Sequence, residues 1–185
     1  HHGICAKFML LTGARITETT AATWSQIDLE AMTWTIPPEN LKDTRALQAR
    51  RHKPKQALAI PLSRQAIQLL TDTREAETER RQLNGLQEEI RKQDLLFVGP
   101  RGSKLGNWDR WLKATTATTG ITGWSAHALR RTTATLAGDL GAPPHIVSVM
   151  LGHSNVGGQL VAGYNHSTYG FEHRQILQEL ADKLE

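Results

Sequence analysis

Two short runs, "MTWTIP" (residues 32–37), rich in β-branched and aromatic residues, and "QALAIPL" (residues 56–62), interrupt a chain whose other apolar residues recur mostly at helical spacing. Pro37 and Pro38 close the first run, because proline has no N–H to give to a ladder. The two runs are expected to pair as an antiparallel hairpin, with "DLLFVGP" (residues 94–100) as a third short strand. Helical segments make up the rest. "ICAKFMLLTGAR" is apolar and ends at Gly13, and "TETTAATWSQIDLE" reads as a short helix running into a turn. "SRQAIQLLTDTREAETERRQL" has an N-cap at Ser63 and Ile67 and Leu70 at helical spacing. "WDRWLKATTATTG" stops at Gly120, and "SAHALRRTTATLAGDLG" stops at Gly141. "PPHIVSVMLGH" opens on proline, where a helix tolerates it. "FEHRQILQELADKLE" places Ile176, Leu177, Leu180 and Leu184 on one face. The pattern predicts an α+β domain, mainly α-helical, with one small three-stranded antiparallel sheet. Trp24, Trp34, Trp108, Trp111 and Trp124 belong to the core or its edge, and His145, His166 and His173 to the surface.

A length of 185 residues suits one domain with its own core, or two small ones. No apolar run approaches the roughly 18 residues of a membrane span. The single cysteine, Cys5, excludes a disulfide framework and a cysteine-rich metal site, and it fits a reducing, cytoplasmic setting. The net charge of +4 leans mildly toward polyanions. Its distribution says more. Lys42, Arg45, Arg50, Arg51, Lys53 and Lys55 crowd one loop against a single acid, Asp43. Such a loop suits contact with a phosphate backbone, although a solvated surface loop looks the same. The acids gather in "REAETERRQLNGLQEEIRKQD", whose alternating signs read as a solvated helix.

Five further features stand in order along the chain: Arg15 after "LLTGA", His127 and Arg130 in "HALR", His153 in "LGHS", and Tyr164 in "VAGYNHS". Each residue type has a reason in phosphodiester chemistry. The nonbridging oxygens gain negative charge in a pentavalent transition state. Two guanidiniums clamp them, because each is planar, permanently charged and able to donate two parallel hydrogen bonds. A phenol attacks only if its proton is taken or the local field lowers its pKa from about 10. The leaving 5′-oxygen needs a proton, which histidine or lysine can deliver. His127 and Arg130 are three residues apart, so they share one helix face and can converge on one phosphate. Arg131 points off that face and is a backbone contact or a surface charge. Any one of these residues alone would be an ordinary surface or core residue. A zinc site does not fit, because the histidines lack a metal-ligand spacing.

"LLTGARITE…W", "PLS", "HALRRTTAT", "LGHS" and "GYNHS" together resemble the catalytic domain of the tyrosine recombinases, above all the integrases of temperate phages and genomic islands. The resemblance runs from Leu10 to Leu180. It implies the fold of the DNA breaking-rejoining enzymes, with no metal or nucleotide cofactor. Arg15 and Arg130 would clamp the phosphate, and Glu18 would order the site beside Arg15. His127 would be the general acid/base, and His153 would donate to the phosphate. Tyr164 would be the nucleophile that makes a 3′-phosphotyrosyl bond, with Tyr169 as its rival. The family's hairpin lysine matches Lys42 best, with Lys53 and Lys55 as alternatives in a hairpin longer than usual. The implied partner is double-stranded attachment-site DNA, bound by a homotetramer in the synaptic complex and by a monomer of this piece in solution, with accessory DNA-bending proteins. A bacterial or phage-encoded origin is implied as well. Residues 1–185 are expected to be the catalytic domain alone, without the N-terminal core-binding and arm-binding domains. The final helix docks either in cis or on a neighbouring protomer. Two other functions remain in view. "ATLAGDLGAPPHIVSVMLGH" has the outline of a helix-turn-helix, which gives a DNA-binding regulator without chemistry. A type IB topoisomerase-like enzyme would relax DNA without exchanging partners.

Overall fold

The computed structural model describes residues 1–41, 56–86, 89–152 and 170–185, with only the backbone of Arg101. Seven α-helices lie among the described residues: α1 (His2–Thr12), α2 (Ile16–Thr20), α3 (Arg64–Leu83), α4 (Trp108–Thr119), α5 (Ala126–Asp139), α6 (Pro144–Met150) and α7 (Gly170–Lys183). Three strands, β1 (Ile27–Asp28), β2 (Thr33–Ile36) and β3 (Leu58–Pro61), form one antiparallel sheet in the order β1-β2-β3. The mainly helical α+β reading holds.

The apolar α1 is the spine of the fold. A helix with so little polar surface must be covered, and α1 packs against α2, α3, α5 and α7. Cys5, Phe8, Met9 and Leu11 are all buried. Phe8 reaches the sheet through Trp34, ring centroids 5.3 Å apart, and reaches Phe97 at 5.5 Å. Trp34 is fully buried, and its indole N–H finds Gln26 Oε1 at 3.1 Å. The predicted hairpin is present. Trp34 pairs with Ile60 and Ile36 with Leu58, so both strands turn their larger apolar side chains to one face. Ser63 caps α3 as expected, its Oγ accepting from the Ala66 N–H. Of the five tryptophans, Trp34 is core and the others are half-buried.

Three expectations need correction. "DLLFVGP" is not the third strand: it makes only two isolated bridges, Thr23 to Leu95 and Val98 to Lys104. Leu96, Phe97 and Val98 are buried in succession, so the run is a covered extended segment without a ladder partner. The sheet is completed instead by the two-residue β1, which pairs Ile27 with Trp34 and Asp28 with Thr33. The alternating-sign segment is helical only to Leu83, where Asn84 and Gly85 turn the chain, and Gly85 takes φ +72°. Its Glu77 is buried rather than solvated, bonded by Arg80 and Arg81. His173 is not at the surface. It is 2% exposed, and its Nε2 has no hydrogen-bond partner.

α7 docks in cis. Leu177 and Leu180 are buried, and the helix packs on α3, α5 and β3. Gln178 and Asp182 bond to Gln65 of α3, and Arg174 Nη2 donates to Ala31 O at 3.1 Å. Of the predicted apolar face, Ile176 is half-buried and Leu184 exposed.

Burial, and then the neighbouring Arg174 charge, push the His173 imidazole down to about 4. The unfolded chain therefore takes up a proton near pH 6.5 that the folded chain refuses. Stability falls as pH drops through that value, and the loss levels off near pH 4. Urea unfolding should show this residue contributing about 2 kcal/mol of destabilisation between pH 7 and pH 5. His173→Leu should flatten the profile by that amount; parallel profiles for variant and wild type would show that His173 is not buried neutral.

Candidate active site

The site begins where α1 ends. Gly13 takes φ +67° and its N–H bonds to Met9 O, which turns the chain out of the helix. An ideal Cβ at Gly13 would sit 3.2 Å from Thr133 Cγ2 and 3.5 Å from Leu151 Cδ2. Glycine is thus needed both for the left-handed backbone and for close approach. Arg15 follows in extended conformation at the N-cap of α2. Glu18, one turn on and 1% exposed, takes both the backbone N–H and the guanidinium of Arg15, each at 2.8 Å. Its carboxylate also lies at the positive end of α2. Arg15 is therefore held from behind, and its side chain stays 27% exposed.

Arg130 comes from a different element, α5, which packs on α1. Its N-cap, Ser125, accepts from the Ala128 N–H at 3.1 Å. The side chain turns inward, and Arg130 is 7% exposed. Its Nη1 donates to Gly13 O at 2.6 Å, and its Nη2 donates to Leu151 O. These carbonyls close α1 and α6. Each carries the partial negative charge of a helix C-terminus, which offsets part of the cost of burying a guanidinium. Burial first, and then the Arg15 charge, push Arg130 down to about 10, with Glu18 opposing. At neutral pH it keeps its proton. Arg15 and Arg130 therefore stand in one corner of the fold, near enough for one charge to act on the other.

His127 lies one turn before Arg130 near the start of α5, on the same helix face, and is exposed. Arg131 is exposed as well, in line with a surface or backbone-contact role. Lys42, Lys53, Lys55, His153, Tyr164 and Tyr169 lie outside the described residues. The flanks of two of those segments meet, however. Gly152, at φ +59°, would carry an ideal Cβ only 2.7 Å from Leu58 Cδ2, so the end of α6 rests on the start of β3. Among the described residues, no group of three or more His, Cys, Asp or Glu gathers in a way that could hold a metal. A depression of about 610 Å³ at the start of α4 is lined by Asn107, Trp108, Asp109, Arg110 and Lys113. None of the candidate residues lines it, so it is not the site.

Two features escaped the sequence reading. One is the pair of carbonyl acceptors at Gly13 and Leu151. The other is Thr133, which is fully buried one turn beyond Arg130. Position i+3 from an inward arginine was the available signal for Thr133.

The sequence profile of the phage integrase family matches residues 1–170. No curated protein matches the chain by sequence. Among solved structures, it is similar to the Tn1549 transposon integrase in complex with transposon right end DNA, with TM-score 0.61 and 22% identity. That match covers 97% of this chain and 59% of the other. It is also similar to XerA recombinase, with TM-score 0.58 and 16% identity over 96% of this chain and 56% of that one. The integrase from mycobacterium phage Brujita gives TM-score 0.56 and 16% identity over 96% and 52%. The chain thus spans less than two thirds of these structures' own length, and the likeness shows the fold.

Arg130→Ala removes the donors of two helix-end carbonyls and leaves a cavity. Urea unfolding at pH 7 should show a loss of about 2–3 kcal/mol, whereas Arg131→Ala, on the exposed side, should stay within about 0.5 kcal/mol of wild type. Equal midpoints for Arg130→Ala and wild type would mean that the two carbonyl bonds contribute nothing to stability.

Proposed function

The chain belongs to the phage integrase family, and we propose that residues 1–185 form the catalytic domain of a site-specific DNA recombinase. One observation carries the reading. The two arginines picked out by separate motifs share one corner, where Arg130 binds the carbonyl of Gly13, two residues ahead of Arg15. Two fixed guanidiniums, Arg15 part-exposed and Arg130 buried behind it, suit one phosphate of a duplex. The partner is double-stranded DNA, as for the Tn1549 integrase, which was solved with transposon right end DNA. Four copies hold two attachment sites in synapsis, aided by DNA-bending proteins, in the cytoplasm of a bacterial host.

In this reading His127 takes the proton of the Tyr164 phenol as its oxygen attacks the phosphorus. A P–O bond to tyrosine forms as the P–O bond to the 5′-oxygen breaks. Lys42, or Lys53 or Lys55 in its place, protonates the leaving oxygen, and His127 serves as general acid/base. Arg15, Arg130 and His153 hold the nonbridging oxygens as their charge grows. One phosphoester is exchanged for another, so rejoining by a 5′-hydroxyl of a second duplex needs no energy source. Leu151, two residues ahead of His153, gives its carbonyl to Arg130, which ties that part of the chain to the clamp.

A library of nicked duplexes of randomised sequence tests this, because the nick lets the short 5′ strand diffuse away and traps the covalent product. Wild type should yield a denaturation-resistant protein–DNA adduct that maps to Tyr164. Tyr164→Phe should lose it, and Tyr169→Phe should keep it. DNA binding with no adduct would make the chain a regulator. Relaxation of a single plasmid without exchange between duplexes would make it a type IB topoisomerase-like enzyme.

A further inference from the structure

Arg15 has only Gly13 and Ala14 between it and the last residue of α1, so where α1 ends decides where its guanidinium stands. The last carbonyls of a helix have no N–H partner within it. On α1, two of these are taken by α5. Arg130 takes Gly13 O, and Thr133 Oγ1, one turn on, donates to Leu10 O at 2.8 Å. The same hydroxyl lies 3.2 Å from Leu129 O of its own helix. Thr133 is 0% exposed, and its methyl is the group that an ideal Cβ at Gly13 would meet at 3.2 Å. The hydroxyl thus holds the final turn of α1 by a hydrogen bond, and the methyl packs against its closing glycine.

We propose that Thr133 is a positioning residue for the two-arginine clamp, acting through the C-terminal turn of α1. This rests on the proposed strand-cleavage activity. Thr133 is enclosed in the packing between α1 and α5, so its side chain presents no surface to a partner. It sets the separation of Arg15 from Arg130. A valine there keeps the shape but removes the donor that Leu10 O has from α5, and the end of α1 shifts to find another partner. Shifts well under 1 Å matter at such a site, because the guanidiniums must meet the oxygens of a transition state rather than of a resting phosphate.

The test is single-turnover cleavage of the nicked duplex recovered most often in the wild-type adduct. It is read across a protein concentration series at a temperature where every variant is folded. Thr133→Val should lower the saturated rate about tenfold, while the half-saturating concentration stays within about twofold. Thr133→Ser restores the donor and should recover the saturated rate to within about threefold. Gly13→Ala loads the same joint from the α1 side and should reproduce the valine pattern; it is the deciding variant if Thr133→Val does not fold. An unchanged saturated rate, a loss confined to half-saturation, or a serine no better than valine overturns the inference and leaves the cleavage reading standing. Absence of any adduct with wild type overturns both.

Discussion

A positive charge buried between two helix ends is the constraint on which the rest of the molecule depends. Taking a guanidinium out of water is costly unless its N–H groups find acceptors. Arg130 finds them at Gly13 and Leu151, the residues that close α1 and α6. Both helices must therefore end at the same point in space. Gly13 and Gly152 make this possible, each in a left-handed conformation that turns the chain away from its helix. The register of α5 on α1 follows, with Thr133 and Arg130 set one turn apart against the final turn of α1. So does the position of Arg15, which Glu18 then holds in place.

The outline of this arrangement was legible in the sequence because it is written in punctuation. Glycines mark the ends of α1, α4 and α5, and Ser63 and Ser125 mark the starts of α3 and α5. The β2–β3 pairing was legible because Thr33, Trp34, Thr35 and Ile36 follow one another without a break and end at two prolines. "DLLFVGP" misled for a physical reason. A segment buried on both sides shows the same apolar run whether or not a neighbour hydrogen-bonds along it. β1 escaped because two residues carry no periodicity. His173 misled by its neighbours, Glu172 and Arg174, although its spacing to Leu177 and Leu180 puts it on the apolar stripe of α7. Arg15, Glu18, His127 and Arg130 were legible as residue types at set spacings. What holds Arg130 was not, because every residue has a carbonyl and sequence does not say which ones converge.

The two arginines are held by different chemistry, and the difference bears on what the corner can bind. Arg15 is held by a carboxylate, so part of its charge is answered by Glu18. Arg130 is held by neutral carbonyls, whose dipoles solvate its charge without cancelling it. A second carboxylate would have anchored Arg130 at least as firmly, but it would have left the corner with two negative charges for two positive ones and little attraction for a phosphate. As built, the corner keeps a net positive charge, and Arg15 and Arg130 repel each other, which is one reason Arg130 lies at about 10. That repulsion is a standing cost of the folded protein. An anion placed between the guanidiniums relieves it and is bound the more tightly, and a phosphate that gains charge during reaction relieves it further. For the proposed phosphate clamp, the packing that makes the fold expensive at this point is thus the packing that would favour growing negative charge.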